Sequence, residues 1–197
     1  GRAALAGLDR ADSIALDPHK WLFQPFECGC LLVRDAAALR AAYAIHPEYM
    51  RDTLLEDEET NYCEYGVQLS RSFRALGLWL TLKTFGARAV GQAIDHAFEL
   101  ADHAEALIQD MDGWEVVTPP SMAILTFRFV GASESDFNRR NAGLVRQLRE
   151  SGVAMVSSTL LGGRYVIRLC PINPRTTRED IEVTLAALDE LARAAGA

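Results

Sequence analysis

The sequence predicts a mixed α/β protein in two parts: a lysine-bearing first portion and a small α+β C-terminal domain. Three observations predict it. Two short apolar runs, Ser13–Leu16 and residues 28–33, flank a lysine-bearing turn, as two strands at a sheet edge would. Residues 87–111 place Ala93, Ala97, Leu100, Ala104, Leu107 and Ile108 at helical spacing, the mark of one long amphipathic helix. From Trp114 onward, strand-like and helix-like runs alternate, and Gly162-Gly163 gives a hairpin signal between two of the strands. That last pattern reads as antiparallel strands with helices on one face. The boundary between the two parts is expected within 86–112.

Taken in order, residues 2–11 are rich in Ala and Leu and predict a short helix or turn. Ser13–Leu16 predicts a short buried strand that ends at Asp17-Pro18, because proline removes a ladder donor. The run 28–33 ends at Arg34, and Asp35 is placed to cap a short helix to Ala42. Residues 43–68 show no clean period. Their acidic run Glu56-Asp57-Glu58-Glu59 predicts a solvated loop surface, whereas Tyr43, Tyr49, Tyr62 and Tyr65 can line a pocket. Residues 70–85 are apolar on much of their circumference and predict a buried helix, with Gly86 as its stop. His96 and His103 lie seven apart on the long helix, too far for metal pairing at i, i+4, so solvated or capping roles are expected. Residues 114–117 predict a short strand punctuated by Pro119-Pro120, and 123–130 a longer one. Ser133 or Ser135 is a candidate cap for a helix to about Ser151. Residues 153–160 and 164–170 predict the two strands of the hairpin. Thr177 with Asp180 resembles a capping box that opens a final helix to about Ala195.

Bulk properties exclude several classes of function. A net charge of −7 and a pI near 5.1 argue against nucleic acid or an anionic membrane as partner. No apolar run approaches the roughly 20 residues of a membrane span. Cys28, Cys30, Cys63 and Cys170 are scattered and read as reduced thiols of a cytoplasmic protein. Cys28 and Cys30 form a C-x-C pair without a second cluster, so two small buried residues are expected and no metal. The chain begins with Gly1 and shows no signal peptide, and a fragment lacking an N-terminal portion is expected.

The candidate chemistry centres on Asp17-Pro18-His19-Lys20-Trp21. The chain holds two lysines, Lys20 and Lys83, among its 20 Lys and Arg residues. A sequence that uses arginine almost wherever it needs a cation has kept a lysine at this turn. Lysine can lose its proton and become a nucleophilic amine; arginine does so far less readily. Lys20 is therefore a candidate for covalent imine formation, and a surface lysine after a turn is the other reading. Imine-forming lysines commonly serve pyridoxal phosphate, whose ring stores the electrons released when a bond at the substrate α-carbon breaks. His19 could reach the phosphate or the ring of such a cofactor, or could simply be satisfied within the turn.

Four stretches extend this motif into a resemblance. Asp17-Pro18-His19-Lys20-Trp21-Leu22 is followed by Phe23-Gln24-Pro25-Phe26-Glu27-Cys28-Gly29. Then come Ile45-His46-Pro47-Glu48-Tyr49-Met50, Gln68-Leu69-Ser70-Arg71-Ser72-Phe73-Arg74 with Leu78-Trp79, and Arg164-Tyr165-Val166-Ile167-Arg168. In this order and spacing the chain resembles the group II pyridoxal-phosphate decarboxylases, which include aromatic-amino-acid, histidine, glutamate and diaminobutyrate decarboxylases. The resemblance implies the aspartate-aminotransferase-like type I fold in an intertwined homodimer. Residues 1–95 would be the C-terminal part of the large cofactor-binding domain and 96–197 the small domain. It further implies pyridoxal 5'-phosphate as cofactor and an L-amino acid as substrate, decarboxylated to the amine and carbon dioxide.

Lys20 would hold the cofactor as an internal aldimine. His19 would sit by the phosphate or assist proton transfer. Asp17 stands where related enzymes have a phosphate-side asparagine; as a carboxylate it would repel the phosphate, and could bond backbone donors or His19 instead. Tyr49 matches the loop tyrosine that protonates the substrate carbon, and a tyrosine there favours simple decarboxylation over aldehyde synthesis. Arg168 would position the substrate or the closed loop, while Arg71 and Arg74 would brace the site or the dimer. The aspartate that pairs with the ring nitrogen is expected upstream of Gly1. Two alternatives remain: other chemistry on the same cofactor (aldehyde synthase or aminotransferase), or an incomplete, non-catalytic fragment.

Overall fold

The structure is a computed structural model and describes residues 5–45, 48, 60–131 and 136–194. The chain divides into two compact units, Gly1–Gly86 and Ala87–Ala197.

In the first unit, Ser13–Leu16 (β1) and Cys30–Val33 (β2) pair antiparallel, with Ser13 opposite Val33 and Leu16 opposite Cys30. Between them Pro18–Trp21 forms a single helical turn (α1), entered from Asp17 in extended conformation with proline at a first-turn position. Proline suits that position because its missing N–H would have had no partner there. Asp35 caps Ala36–Tyr43 (α2) as its position predicts: its Oδ1 accepts from Ala37 N at 2.9 Å and from Ala38 N at 3.2 Å. A 3-10 turn at Tyr62–Tyr65 is tied to α2 by an ion pair between the buried Glu64 and Arg40. Arg34 closes the start of the unit by donating to the carbonyls of Asp9 and Ala11.

The helical run Arg74–Asp110 (α3) is interrupted at Gly86, whose φ of 81° and ψ of 152° no helix contains. Gly86 thus ends the helix of residues 74–85, as expected, and marks the division between the units. Burial of that helix was expected and is not found. Trp79, Leu80 and Phe85 are 55%, 48% and 68% exposed. An all-round apolar pattern states what a helix can bury, and no described residue of this unit covers that surface.

The second unit is a four-stranded antiparallel sheet in the order β3-β4-β6-β5, formed by Trp114–Ser121 (β3), Ile124–Phe129 (β4), Ser157–Leu161 (β5) and Arg164–Leu169 (β6). Phe137–Ser151 (α4) and Arg178–Ala194 (α5) complete it with residues 87–110 of α3. The core follows two periodicities. Leu125, Phe127 and Phe129 alternate along β4, and Ala97, Ala101, Ala104 and Ile108 recur every three or four residues along α3. Asn141 is fully buried and fully used: it accepts from Phe129 N at 2.8 Å and donates to Phe129 O at 2.9 Å and Phe137 O at 2.8 Å, joining α4 to the end of β4.

β3 continues through Pro119-Pro120, which the sequence marks as a stop. It is an edge strand with register shifts after Val116 and Thr118, and at such a place prolines need not donate to a ladder. The α4 N-cap is Asp136, whose side chain makes no capping bond; Ser133 and Ser135 lie outside the described residues. Thr177 and Asp180 form the expected reciprocal cap, Thr177 N to Asp180 Oδ2 at 2.8 Å and Asp180 N to Thr177 Oγ1 at 3.1 Å. His96 Nε2 lies 2.8 Å from Thr176 O, and His103 Nε2 lies 3.0 Å from Glu182 Oε1. Among the described residues no helix is long and apolar enough to cross a membrane.

Candidate active site

The candidate site grows out of the turn between β1 and β2. Leaving β1, the chain turns at Pro18, so that Asp17 and Lys20 lie one helical turn apart. Asp17 does not use its carboxylate as a helix cap. Its Oδ2 accepts from Lys20 Nζ at 2.6 Å instead. This hydrogen bond is the largest influence on Asp17 and holds its carboxyl below the ordinary aspartate value; partial desolvation opposes it, and the charges of Lys20 and His19 reinforce it. The lysine is pinned without being enclosed, since its side chain remains 59% exposed.

His19 is held from the segment that leads into β2. Its backbone N–H donates to Cys28 O at 3.3 Å, and its ring Nδ1 lies 2.8 Å from that oxygen and 3.2 Å from Cys28 N. A protonated Nδ1 donates to the carbonyl, and an unprotonated one accepts from the amide, so both tautomers keep the ring in place. The edge of the ring meets Phe26 at a centroid distance of 5.2 Å. Of the two cysteines expected to be buried, Cys28 is and Cys30 is only partly so, and all four cysteines are free thiols.

Two clefts open beside this turn. The larger, about 920 Å³, is lined by His19, Phe26, Gly29, Tyr62, Gln68 and Arg71 among others. The smaller, about 680 Å³, takes in Asp17 and Tyr65 and shares Gly29, Tyr62 and Arg71 with the first. Lys20 lines neither; its two immediate partners do. Of the four tyrosines able to line a pocket, Tyr62 and Tyr65 line these clefts and Tyr43 lines neither. Arg71 is steadied by donating to Tyr62 O at 2.8 Å, and Arg74 pairs with Glu27 in the wall of the larger cleft.

Asp17, His19 and Lys20 therefore come together in the first unit. Arg168 belongs to the second. It sits on β6 in register with Thr126 of β4 and Ser157 of β5, and its Nη1 donates to Ser157 Oγ at 3.3 Å. Tyr49 lies outside the described residues. Among the described residues no group of three His, Cys, Asp or Glu side chains is placed to hold a metal ion.

Gln24 is the residue that sequence reasoning passed over. It is 6% exposed, and its Nε2 donates to Leu22 O at 2.8 Å and to Thr81 Oγ1 at 3.1 Å. Its signal was a lone amide inside the apolar run Trp21-Leu22-Phe23-Gln24-Pro25-Phe26.

The profile of the pyridoxal-dependent decarboxylase conserved domain matches residues 1–130. The chain belongs to the pyridoxal-dependent decarboxylase family. Within that family it is 46% identical over 196 residues to an aromatic-L-amino-acid decarboxylase of Bacillus atrophaeus, an alignment covering 98% of this chain and 41% of that protein. It is 31% identical over 189 residues to a phenylacetaldehyde synthase of Petunia hybrida, covering 91% and 37%. A crystal structure of Oryza sativa TDC with PLP and tryptamine superposes with a TM-score of 0.89 at 30% identity, over 98% of this chain and 41% of that one. The chain has the type I fold of these pyridoxal-dependent decarboxylases and spans about two fifths of the length of the relatives it matches.

Proposed function

We propose that this chain is part of a pyridoxal-phosphate-dependent carboxy-lyase that converts an L-amino acid to its amine and carbon dioxide. The observation that carries the reading is Lys20, presented on a one-turn helix and bonded to the Asp17 carboxylate, in a chain of the pyridoxal-dependent decarboxylase family. The donor set suits such a cofactor. A primary amine answers an aldehyde, and the guanidinium of Arg71 in the adjoining wall answers a phosphate. Gly29, common to both clefts, leaves the space around it open: a Cβ there would meet nothing within 4 Å.

When bound, the cofactor supplies a ring that accepts the electron pair of the breaking bond between the substrate α-carbon and its carboxylate. The chain's own residues bind and orient. Lys20 is the residue for covalent attachment through Nζ, and Asp17 Oδ2 fixes where Nζ stands. His19, held at Nδ1 by Cys28, keeps Nε2 for the cofactor or for a proton. Tyr49 is the proposed general acid; a phenol placed over the reacting carbon can return a proton to it. Arg168 is the proposed partner of the substrate's carboxylate or of the closed loop. Residues 1–95 and 96–197 are proposed as parts of the large and small domains; the helix break and the division into compact units fall earlier, at Gly86. A homodimer in the cytoplasm is the proposed working form, with the free thiols in keeping with that compartment.

The test uses the full-length protein. The unmodified enzyme is expected to show the visible absorbance of lysine-bound cofactor and to release carbon dioxide and amine in equal amounts, and Lys20→Ala is expected to lose that absorbance. An undiminished band in Lys20→Ala would sink the assignment. A second reading, aldehyde synthesis, is favoured by the 31% identity to the Petunia hybrida phenylacetaldehyde synthase. Product analysis separates the two: aldehyde and peroxide in place of amine decide for the synthase.

A further inference from the structure

A helix of one turn does not hold itself, because nucleation fixes several residues for a single hydrogen bond. Something else must set where Lys20 stands. Asp17 reaches the amine, but Asp17 belongs to the same turn. His19 ties the turn to the nearby Cys28 and the exposed Glu27 pairs with Arg74, but the buried side chain that reaches the helix of residues 74–85 from just after α1 is Gln24.

After Lys20 the chain doubles back tightly. Phe23 N donates to Lys20 O at 3.3 Å, Gln24 N donates to Pro18 O at 3.0 Å, and Phe23 takes a φ of 55°, a left-handed conformation unusual for an aromatic residue. This reversal carries the Gln24 side chain inward. There its two amide protons are both used, one on Leu22 O and one on Thr81 Oγ1, which lies 57 residues further on in the helix of residues 74–85. The opposing helix residue is Gly77, where a Cβ would stand 3.3 Å from Gln24 Oε1. The helix thus offers a hydroxyl to bond the amide and a bare backbone to admit it. A buried amide with both donors satisfied is expensive to disturb.

We infer that Gln24 is a positioning residue for Lys20: through Thr81 and the gap at Gly77 it latches the lysine-bearing turn onto the helix of residues 74–85. The inference rests on the proposed role of Lys20 as the cofactor-binding residue. The competing account is a buried amide that supports the fold alone, so the decisive readouts are spectroscopic.

In the full-length holoenzyme, Gln24→Ala is expected to move the pH midpoint of the lysine-bound cofactor band and to weaken cofactor retention by about tenfold, the scale of one lost buried hydrogen bond. Thr81→Val, which keeps the shape and removes the hydroxyl, is expected to move both in the same direction. Thr81→Ser, which keeps the hydroxyl, is expected to restore both. The Thr81 pair keeps the test decisive if Gln24→Ala does not fold. A lowered melting temperature in Gln24→Ala and Thr81→Val with midpoint and retention unchanged would overturn the inference and leave Lys20 in its role. A normal band in Lys20→Ala would overturn the reading beneath it.

Discussion

A carboxylate one turn ahead of a lysine can orient the amine without enclosing it, and Asp17 does this for Lys20. The sign of the pH dependence follows. The bond to Lys20 lowers the Asp17 carboxyl below the ordinary value of 3.8, so its contribution to stability is complete above that value and is lost as pH falls through the lower, folded one. A carboxyl-carbon NMR titration is expected to find the Asp17 midpoint below 3.8, and Lys20→Ala to return it toward the ordinary aspartate range. A midpoint unmoved by Lys20→Ala would show that the pair does not persist in solution. At this scale the sequence was most informative about identity. A lysine kept among arginines marked position 20, and its neighbour Asp17 does bond it. The direction of Asp17 was not legible, because backbone donors, His19 and Lys20 were all within its reach and only the turn's geometry chose Lys20.

Among the elements, those with local chemical marks were legible and those without them were not. Asp35 and Thr177 lie where their helices begin, and each bonds the backbone it was expected to bond. Thr177→Ala is expected to cost about 1 kcal/mol of stability, read by denaturant unfolding. Gly162 and Gly163, with φ of 56° and 78°, make the two-residue turn that their pairing announces. The turn between β3 and β4 has the same form with no such mark: Met122 and Ala123 have φ of 51° and 57° between the paired residues Ser121 and Ile124. Neither residue favours that conformation, and tertiary pairing of the strands imposes it. Met122→Asn is expected to raise stability by up to about 1 kcal/mol, since asparagine tolerates the left-handed region better. No gain in the unfolding midpoint would mean that the Met122 side chain contributes more than its backbone costs.

Across the whole molecule the two units differ in how they use apolar surface. The second keeps Phe127 at 0% and Trp114 at 8% exposure, whereas the first leaves Trp79 55% exposed. In variants of this 197-residue chain that lack Trp21 and retain only one of these two tryptophans, acrylamide is expected to quench Trp79 fluorescence strongly and Trp114 weakly. Equal quenching would contradict the closed core of the second unit. The sequence by itself determined the local grammar: the helix caps, the glycine turn, the break at Gly86, the core stripe from Ala97 to Ile108, and the lysine motif with the family it resembles. These follow from propensity, periodicity and residue chemistry, which act within a few residues. Only the tertiary structure decided that the apolar helix 74–85 stands exposed, that β3 runs on through its prolines at a sheet edge, and that Gln24 reaches across 57 residues to Thr81. Each depends on which surfaces meet, and contacts between residues far apart in the chain leave no period or spacing to read.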